Sequence, residues 1–139
     1  GRAFPPFREV LEKREGTDYR FWFNINFWGN SRYNDGLDYE NWEGHPELVK
    51  LRLENQDVQN YLMNAVRFWI DAFDIDGLRL DVSYLLPQWF MELLRRTLAE
   101  DFSPACPRLL LEENPRRILE DRPLVGTDEP IFSPREDEL

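Results

Sequence analysis

The chain has 139 residues, which is enough for one domain with a hydrophobic core. Its 17 basic and 27 acidic residues give a net charge of −10. This argues against a nucleic-acid partner or an anionic membrane surface, because both favour a basic face. The single cysteine, Cys106, excludes an internal disulfide. No apolar run is long enough for a membrane span and no signal peptide is visible, so we expect a cytoplasmic location.

Aromatic residues make up 14% of the chain and crowd into its first half. Neutral sugars are often held by aromatic faces together with carboxylate and amide groups, so this composition suits a carbohydrate site. A core rich in aromatic side chains explains the composition equally well.

Residues 1–55 show little periodicity and carry turn sequences instead. A long irregular segment with many aromatics predicts an ordered functional loop. Its aromatic candidates are Trp28, Tyr33, Tyr39 and Trp42, which we expect either to stack on sugar rings or to pack the loop onto its domain. We interpret His45, which precedes a proline, as a turn residue. Oxygen ligands for Ca²⁺ are present, but turn formation explains them as well; they are Asn30, Asn34, Asp35 and Asp38.

Residues 56–73 change to a helical pattern that begins after Asn55, a good N-cap. Their apolar side chains recur at helical spacing and predict one buried stripe: Val58, Tyr61, Leu62, Ala65, Val66, Trp69, Ile70 and Phe73.

Residues 77–83 then read as a short buried strand. A second helix is predicted to start near Pro87, with its inner face on Phe90, Leu93, Leu94, Thr97 and Leu98. Leu109–Leu111 reads as a second buried strand. Strands separated by helices predict an α/β fold with parallel pairing. We divide the chain into a loop excursion (1–55), a helix–strand–helix–strand segment (56–114) and an irregular tail (115–139).

The candidate chemistry lies at the ends of the two predicted strands. Side chains alternate along a strand, so Arg79 and Asp81 share one face, and a neighbouring cation keeps a carboxylate ionised. Glu112 ends the next predicted strand, which places two carboxylates at adjacent strand ends. About 5–5.5 Å between such groups suits a retaining glycosidase. The alternative is structural: Asp81 pairs with Arg79, and Glu112 caps a turn.

The run Gly77-Leu78-Arg79-Leu80-Asp81-Val82 resembles the fourth-strand motif of the α-amylase family, glycoside hydrolase family 13. Residues 69–76, together with Trp42-Glu43-Gly44-His45 and the Leu48–Leu51 run after it, are similar to its neopullulanase- and cyclomaltodextrinase-like members. The resemblance covers about residues 1–100. It implies part of a (β/α)₈ barrel: the long loop after strand three, helix three, strand four, helix four and strand five.

By the same resemblance, Asp81 is the nucleophile, Arg79 holds and orients it, and Glu112 is the acid/base candidate. The implied substrate is an α-glucan, and no cofactor is implied. The chain departs from the family pattern at Leu111, where the family usually has glycine, and at Glu113, which competes with Glu112. With one histidine, His45, it also lacks the family's active-site histidines.

Three hypotheses follow for the isolated chain. It is a partial family 13 catalytic domain, weak or inactive alone. Alternatively, it is a non-catalytic glucan-binding module that uses the aromatic loop. A third possibility is a half-barrel that pairs with a complementary chain, or with itself, through open strand edges.

Overall fold

A computed structural model describes residues 2–29 and 36–120. The chain divides into two compact units, Gly1–Leu62 and Met63–Leu139. These units are defined by proximity of the backbone. They do not test the division into 1–55, 56–114 and 115–139, which stays a prediction.

The first unit begins with a helix that the sequence pattern did not predict. Helix α1 spans Pro5–Lys13 and starts on two prolines, whose fixed backbone angle suits the first helical turn. Two 3₁₀ turns follow, at Arg14–Gly16 and Asp18–Trp22. At nine residues, α1 is too short to establish a clear period in the sequence.

All strands among the described residues lie in the first unit and pair antiparallel. Strand β1 (Ile25–Phe27) pairs with β2 (Asp38–Tyr39), and β3 (Asn41–Trp42) pairs with β4 (His45–Val49). The second pair is a hairpin whose turn residues Glu43 and Gly44 both have positive φ, 47° and 85°. The turn itself consists of Glu43 and Gly44, whereas His45, interpreted from the sequence as a turn residue, pairs with Trp42 as the first residue of β4.

An aromatic core holds the first unit together. The Phe7 ring meets Phe23 and Tyr39 edge-on, with centroids 4.9 and 4.8 Å apart. Val10 and Leu37 complete the buried cluster. Aromatic pairs in this geometry add about 0.5–1.5 kcal/mol each beyond the burial of their area. Tyr39, a candidate sugar-stacking residue, is therefore a core residue.

Helix α2 spans Gln56–Phe73 and confirms the predicted helix and its cap. The Asn55 side-chain oxygen accepts hydrogen bonds from the backbone N–H groups of Asp57 and Val58, at 2.8 and 3.2 Å. The Asn55 amide also donates to the Phe21 carbonyl at 3.1 Å, which ties the start of the helix to the second 3₁₀ turn.

Only part of the predicted apolar stripe of α2 is covered. Val58, Val66 and Ile70 are buried, as expected. Trp69 and Phe73, assigned to the same stripe, are 45% and 65% exposed. The apolar surface of this helix is therefore wider than the surface that covers it in this structure.

The second unit contains the other predicted helix. Helix α3 spans Gln88–Asp101, directly after Pro87, and buries Phe90, Leu94, Thr97 and Leu98. The predicted start of α3 and four of its five inner-face residues are confirmed, whereas Leu93 is only half-buried. Arg67 of α2 donates to Asp101, Nε to Oδ2, at 2.6 Å.

The first of the two strands predicted in this unit is absent. Residues 77–80 have no regular structure, and a 3₁₀ turn at Ser83–Leu85 follows. A strand is stabilised by its ladder with a neighbour, and no strand among the described residues lies beside 77–83. Val82 takes a left-handed conformation (φ 50°, ψ 36°) that a β-branched residue disfavours. The prediction of parallel strands is therefore wrong for the chain as it folds here.

The second predicted strand is helical. Leu109–Leu111 lies in a continuous helical stretch formed by α4 (Cys106–Arg108), a π-helical segment (Leu109–Glu113) and α5 (Asn114–Leu119). A short apolar run fits a buried helix as well as a buried strand, and Pro107 favours a helix start. The first residues of the predicted irregular tail are also helical, whereas 121–139 lies outside the described residues.

Candidate functional site

Arg79 and Asp81 meet as the sequence predicts, although not on a strand. Arg79 Nη2 donates to Asp81 Oδ1 at 3.0 Å. The side chains are 85% and 78% exposed, so water solvates both charges. An exposed ion pair of this kind is worth about 0–1 kcal/mol and orients the carboxylate only weakly.

The two segments predicted as neighbouring strands do lie side by side. The Leu78 N–H donates to the Leu110 carbonyl at 2.7 Å. A Cβ added to Gly77 would approach the Pro115 ring to 3.2 Å, so the motif glycine permits a close approach of the two segments. The two segments therefore lie close together, as predicted. The contact is a backbone hydrogen bond from an extended residue to a helix, not the ladder of two paired strands.

Glu112 and Glu113 have different partners. Glu112 Oε1 lies 2.5 Å from Arg95 Nη1, and its side chain is half exposed. Glu113 is 15% exposed and binds Arg108 at 2.7 Å and Arg117 at 3.1 Å. Glu113 is therefore engaged in a local ion network, whereas Glu112 presents a carboxylate at the surface. Asp81 and Glu112 each bind a different arginine.

The aromatic candidates have different environments. Trp28 is 37% exposed and borders a groove of about 780 Å³ in the first unit. Trp42 is half-buried and stacks on His45, with ring centroids 5.6 Å apart. Tyr33 lies outside the described residues. Of Trp28 and Trp42, which the structure describes, Trp28 lines this groove and Trp42 does not.

Sequence reasoning missed the charged walls of this groove. They come from Arg20, Glu40 and Arg52, which are far apart in the chain and carry no shared motif. The one signal in the sequence was that charged residues are interspersed with many aromatic residues between positions 15 and 54. That pattern is common on protein surfaces and did not single these residues out.

Among the described residues, two groups have shifted pKa values. Hydrogen bonds from Thr17 and Lys13 lower the pKa of the Glu9 carboxyl. Burial raises the pKa of the Cys106 thiol from 9.0 to about 11, so this cysteine stays protonated at neutral pH and is a poor nucleophile.

Of the four oxygen ligands considered for Ca²⁺, Asp38 is the one in the part of the chain that the structure describes. Asp38 Oδ2 accepts from the Asn26 amide at 2.9 Å, which fits a role in strand pairing. Residues 2–29 and 36–120 contain no cluster of three metal-ligating side chains of the His, Cys, Asp and Glu types. Asn30, Asn34 and Asp35 lie outside the described residues. None of the described helices has the length and apolarity that crossing a bilayer requires.

Comparison with known proteins gives a consistent result. The sequence profile described as alpha amylase, catalytic domain, matches residues 8–116. A cyclomaltodextrinase of a Bacillus species is 35% identical over 100 residues, covering 72% of this chain and 18% of that protein. Neopullulanase 2 of Thermoactinomyces vulgaris is 37% identical over 105 residues, covering 75% of this chain and 17% of that protein.

Solved structures agree. The cyclic α-maltosyl-(1→6)-maltose hydrolase of Arthrobacter globiformis, in complex with maltose, superposes with a TM-score of 0.65 at 26% identity. It covers 72% of this chain, which spans 22% of that structure. The chain thus spans less than a fifth of the two curated relatives and under a quarter of this structure. A match over most of its length to one catalytic domain, in sequence and in structure, means that this chain belongs to the α-amylase family of glycoside hydrolases and corresponds to part of its barrel domain.

Proposed function

We propose that this chain contributes the nucleophile segment of a retaining glycoside hydrolase that acts on α-glucosidic bonds of starch-like glucans. Asp81 attacks the anomeric carbon while Glu112 protonates the departing oxygen, and the glycosidic bond breaks. Glu112 then takes a proton from water, which displaces Asp81 from the sugar. Arg79 donates a hydrogen bond to the Asp81 carboxylate, and we propose that it helps to orient this carboxylate toward the sugar.

The observation that carries this proposal is the contact between Arg79 and Asp81. The two side chains meet at 3.0 Å inside the run that resembles the family's fourth-strand motif. The names of the relatives, cyclomaltodextrinase and neopullulanase, support an α-glucan substrate. Glu112 fits the acid/base role better than Glu113, because two arginines already hold Glu113.

The isolated chain is expected to be a weak catalyst or an inactive one. Stabilisation of a transition state relies on preorganised groups in a site that excludes water. Asp81 is 78% exposed, and the segment that carries it has no strand neighbour among the described residues. A carboxylate that is 78% exposed and binds one exposed arginine lacks both properties.

A second proposed function rests on exposed aromatic side chains rather than on the pair of Arg79 and Asp81. Three aromatic side chains near the end of α2, Phe68, Trp69 and Phe73, are 45–65% exposed. The chain also spans less than a fifth of its curated relatives. We therefore propose that this surface joins a complementary part of a barrel, on the same chain or on another, which completes the site.

Hydrolysis tests the proposed chemistry directly. Release of nitrophenol from a nitrophenyl α-maltoside is measured for the chain, for Asp81→Asn and for Asp76→Asn. Asp76 is also exposed, lies in the same segment and loses the same charge, so it controls for local electrostatics. We expect low turnover that Asp81→Asn abolishes and Asp76→Asn preserves.

Three other results are informative. Turnover that persists in Asp81→Asn would contradict the nucleophile assignment. Turnover at the level of a complete enzyme would contradict the expectation that the isolated chain is weak. If the chain shows no turnover, the assay is repeated after Asp81→Asn is placed in a longer protein that contains this segment, where retained activity would again rule out Asp81.

A further inference from the structure

We propose that the groove beside Trp28 is a binding site for a neutral oligosaccharide of the starch type, formed by the first unit alone. This inference rests on the proposed glucan substrate and adds a second place where the glucan binds. The groove contains none of the proposed catalytic residues. Its volume of about 780 Å³ lies within the range of roughly 300–1,000 Å³ that is typical of small-molecule sites.

Two aromatic faces border the groove. Trp28 is 37% exposed and Phe21 is 46% exposed. The Arg20 guanidinium lies 4.5 Å from the centre of the Phe21 ring and donates a hydrogen bond to the Glu15 carbonyl. Arg20 therefore holds the Phe21 side chain against one wall. The exposed Trp28 face offers a flat apolar surface on which the C–H face of a pyranose can rest.

The groove also has polar groups with free hydrogen-bonding capacity. Arg52 and Glu54 make no side-chain hydrogen bond or ion pair with other described residues. Asn24 donates to Glu40 Oε2 at 2.9 Å, and Lys50 approaches the same oxygen at 3.4 Å. The second Glu40 oxygen has no such partner. The site therefore offers a guanidinium donor and carboxylate acceptors to an incoming ligand.

The balance of charge favours a neutral ligand. Two arginines, Arg20 and Arg52, face three glutamates, which are Glu15, Glu40 and Glu54. A phosphate would meet three carboxylates, and a cation would meet two guanidinium groups. Each hydroxyl of a sugar both donates and accepts, so it can use both kinds of group at once.

The floor of the groove is formed by paired backbone segments. Phe23 is 3% exposed and forms an antiparallel bridge with Leu51. The Arg52 N–H donates to the Trp22 carbonyl at 2.7 Å, which fixes the backbone beneath the free guanidinium. A preformed floor reduces the ordering that binding requires, so affinity does not depend on folding around the ligand.

Titration of the complete chain with maltoheptaose tests this site. Calorimetry gives the affinity, and the indole N–H signals of an isotope-labelled chain identify the tryptophan involved. We expect the Trp28 signal, recognised by its loss in Trp28→Ala, to shift on titration. We expect Trp28→Ala to weaken binding about tenfold or more. Trp89→Ala is the matched control, because Trp89 is 40% exposed and lies in the second unit, outside the groove. It should leave the affinity unchanged.

A second pair of variants tests the polar walls. Arg52→Gln should weaken binding severalfold. Arg96→Gln removes the same charge at an exposed position of α3, outside the groove, and should leave binding unchanged. Absence of maltoheptaose binding by the folded chain, equal weakening by Trp28→Ala and Trp89→Ala, or displacement of the sugar by inorganic phosphate would each overturn the proposal.

The catalytic proposal and this one fail separately. Asp81→Asn is expected to leave maltoheptaose affinity at the groove unchanged. If hydrolysis is lost in Asp81→Asn while the Trp28 signal does not respond to sugar, the groove proposal alone is wrong. If the Trp28 signal responds but Asp81→Asn has no effect on hydrolysis, the catalytic proposal alone is wrong.

Discussion

Glu112 is half exposed and binds one arginine, whereas the adjacent Glu113 is 15% exposed and binds two. The sequence alone does not decide which of the two is the acid/base, because the two glutamates are adjacent in the chain. Their surroundings separate a carboxylate that is available to a substrate from one that holds its helix in place. A general acid needs access to the leaving group, which favours Glu112.

Substitution of each glutamate should therefore destabilise the chain to a different extent. Glu113→Gln is expected to lower the free energy of unfolding by roughly 1–2 kcal/mol, because Glu113 is only 15% exposed and the change removes the negative charge that binds Arg108 and Arg117. Glu112→Gln should cost under about 0.5 kcal/mol, because its ion pair is solvated. Urea unfolding of the two variants measures the difference, and equal destabilisation would contradict the distinction.

At the scale of elements, the two long helices were predictable, whereas the two strands predicted for the second unit do not form among the described residues. Helices α2 and α3 repeat their apolar period over 18 and 14 residues, and their starts carry capping or first-turn residues. The segment 77–83 has the composition of a strand but no ladder partner here. Leu109–Leu111 is too short for periodicity to decide between strand and helix.

The same reasoning separates what could be predicted of the sites. Arg79 and Asp81 are two residues apart, so their contact follows from local spacing alone. The groove brings together Arg20, Glu40 and Arg52 through pairings that no single segment encodes. Local chemistry was therefore visible in the sequence, whereas a site assembled by the fold was not.

Asn55 allows the capping of α2 to be tested separately from its contact with Phe21. Asn55→Ala removes both the cap and the bond to the Phe21 carbonyl, and should lower the free energy of unfolding by about 1–2 kcal/mol. Asn55→Asp keeps the cap acceptor and loses the amide donor, so we expect a smaller loss. Thermal unfolding followed by circular dichroism compares the two. A loss in Asn55→Asp as large as in Asn55→Ala would show that the cap contributes little.

For the whole molecule, the apolar surface at the end of α2 is the feature that most disfavours a stable monomer of the isolated chain in solution. Phe68 and Phe73 pack edge to face, with centroids 5.6 Å apart, yet remain 57% and 65% exposed. Exposed aromatic pairs of this kind mark interaction surfaces or sites of aggregation. Because the relatives are several times longer than this chain, a missing part of the barrel is the occupant we propose.

An isolated chain with this surface uncovered should associate with itself. We expect Phe73→Ser to raise the monomer fraction several-fold at a fixed concentration, because burial of one aromatic side chain is worth about 1.5–3 kcal/mol. Tyr84→Ser is the control: Tyr84 is 83% exposed and makes no ring contact with other described residues. Sedimentation velocity over a range of concentrations measures the monomer fraction. An equal effect of both variants would point to general stickiness, whereas a chain that stays monomeric at every concentration would mean that this surface is stable in water and needs no partner.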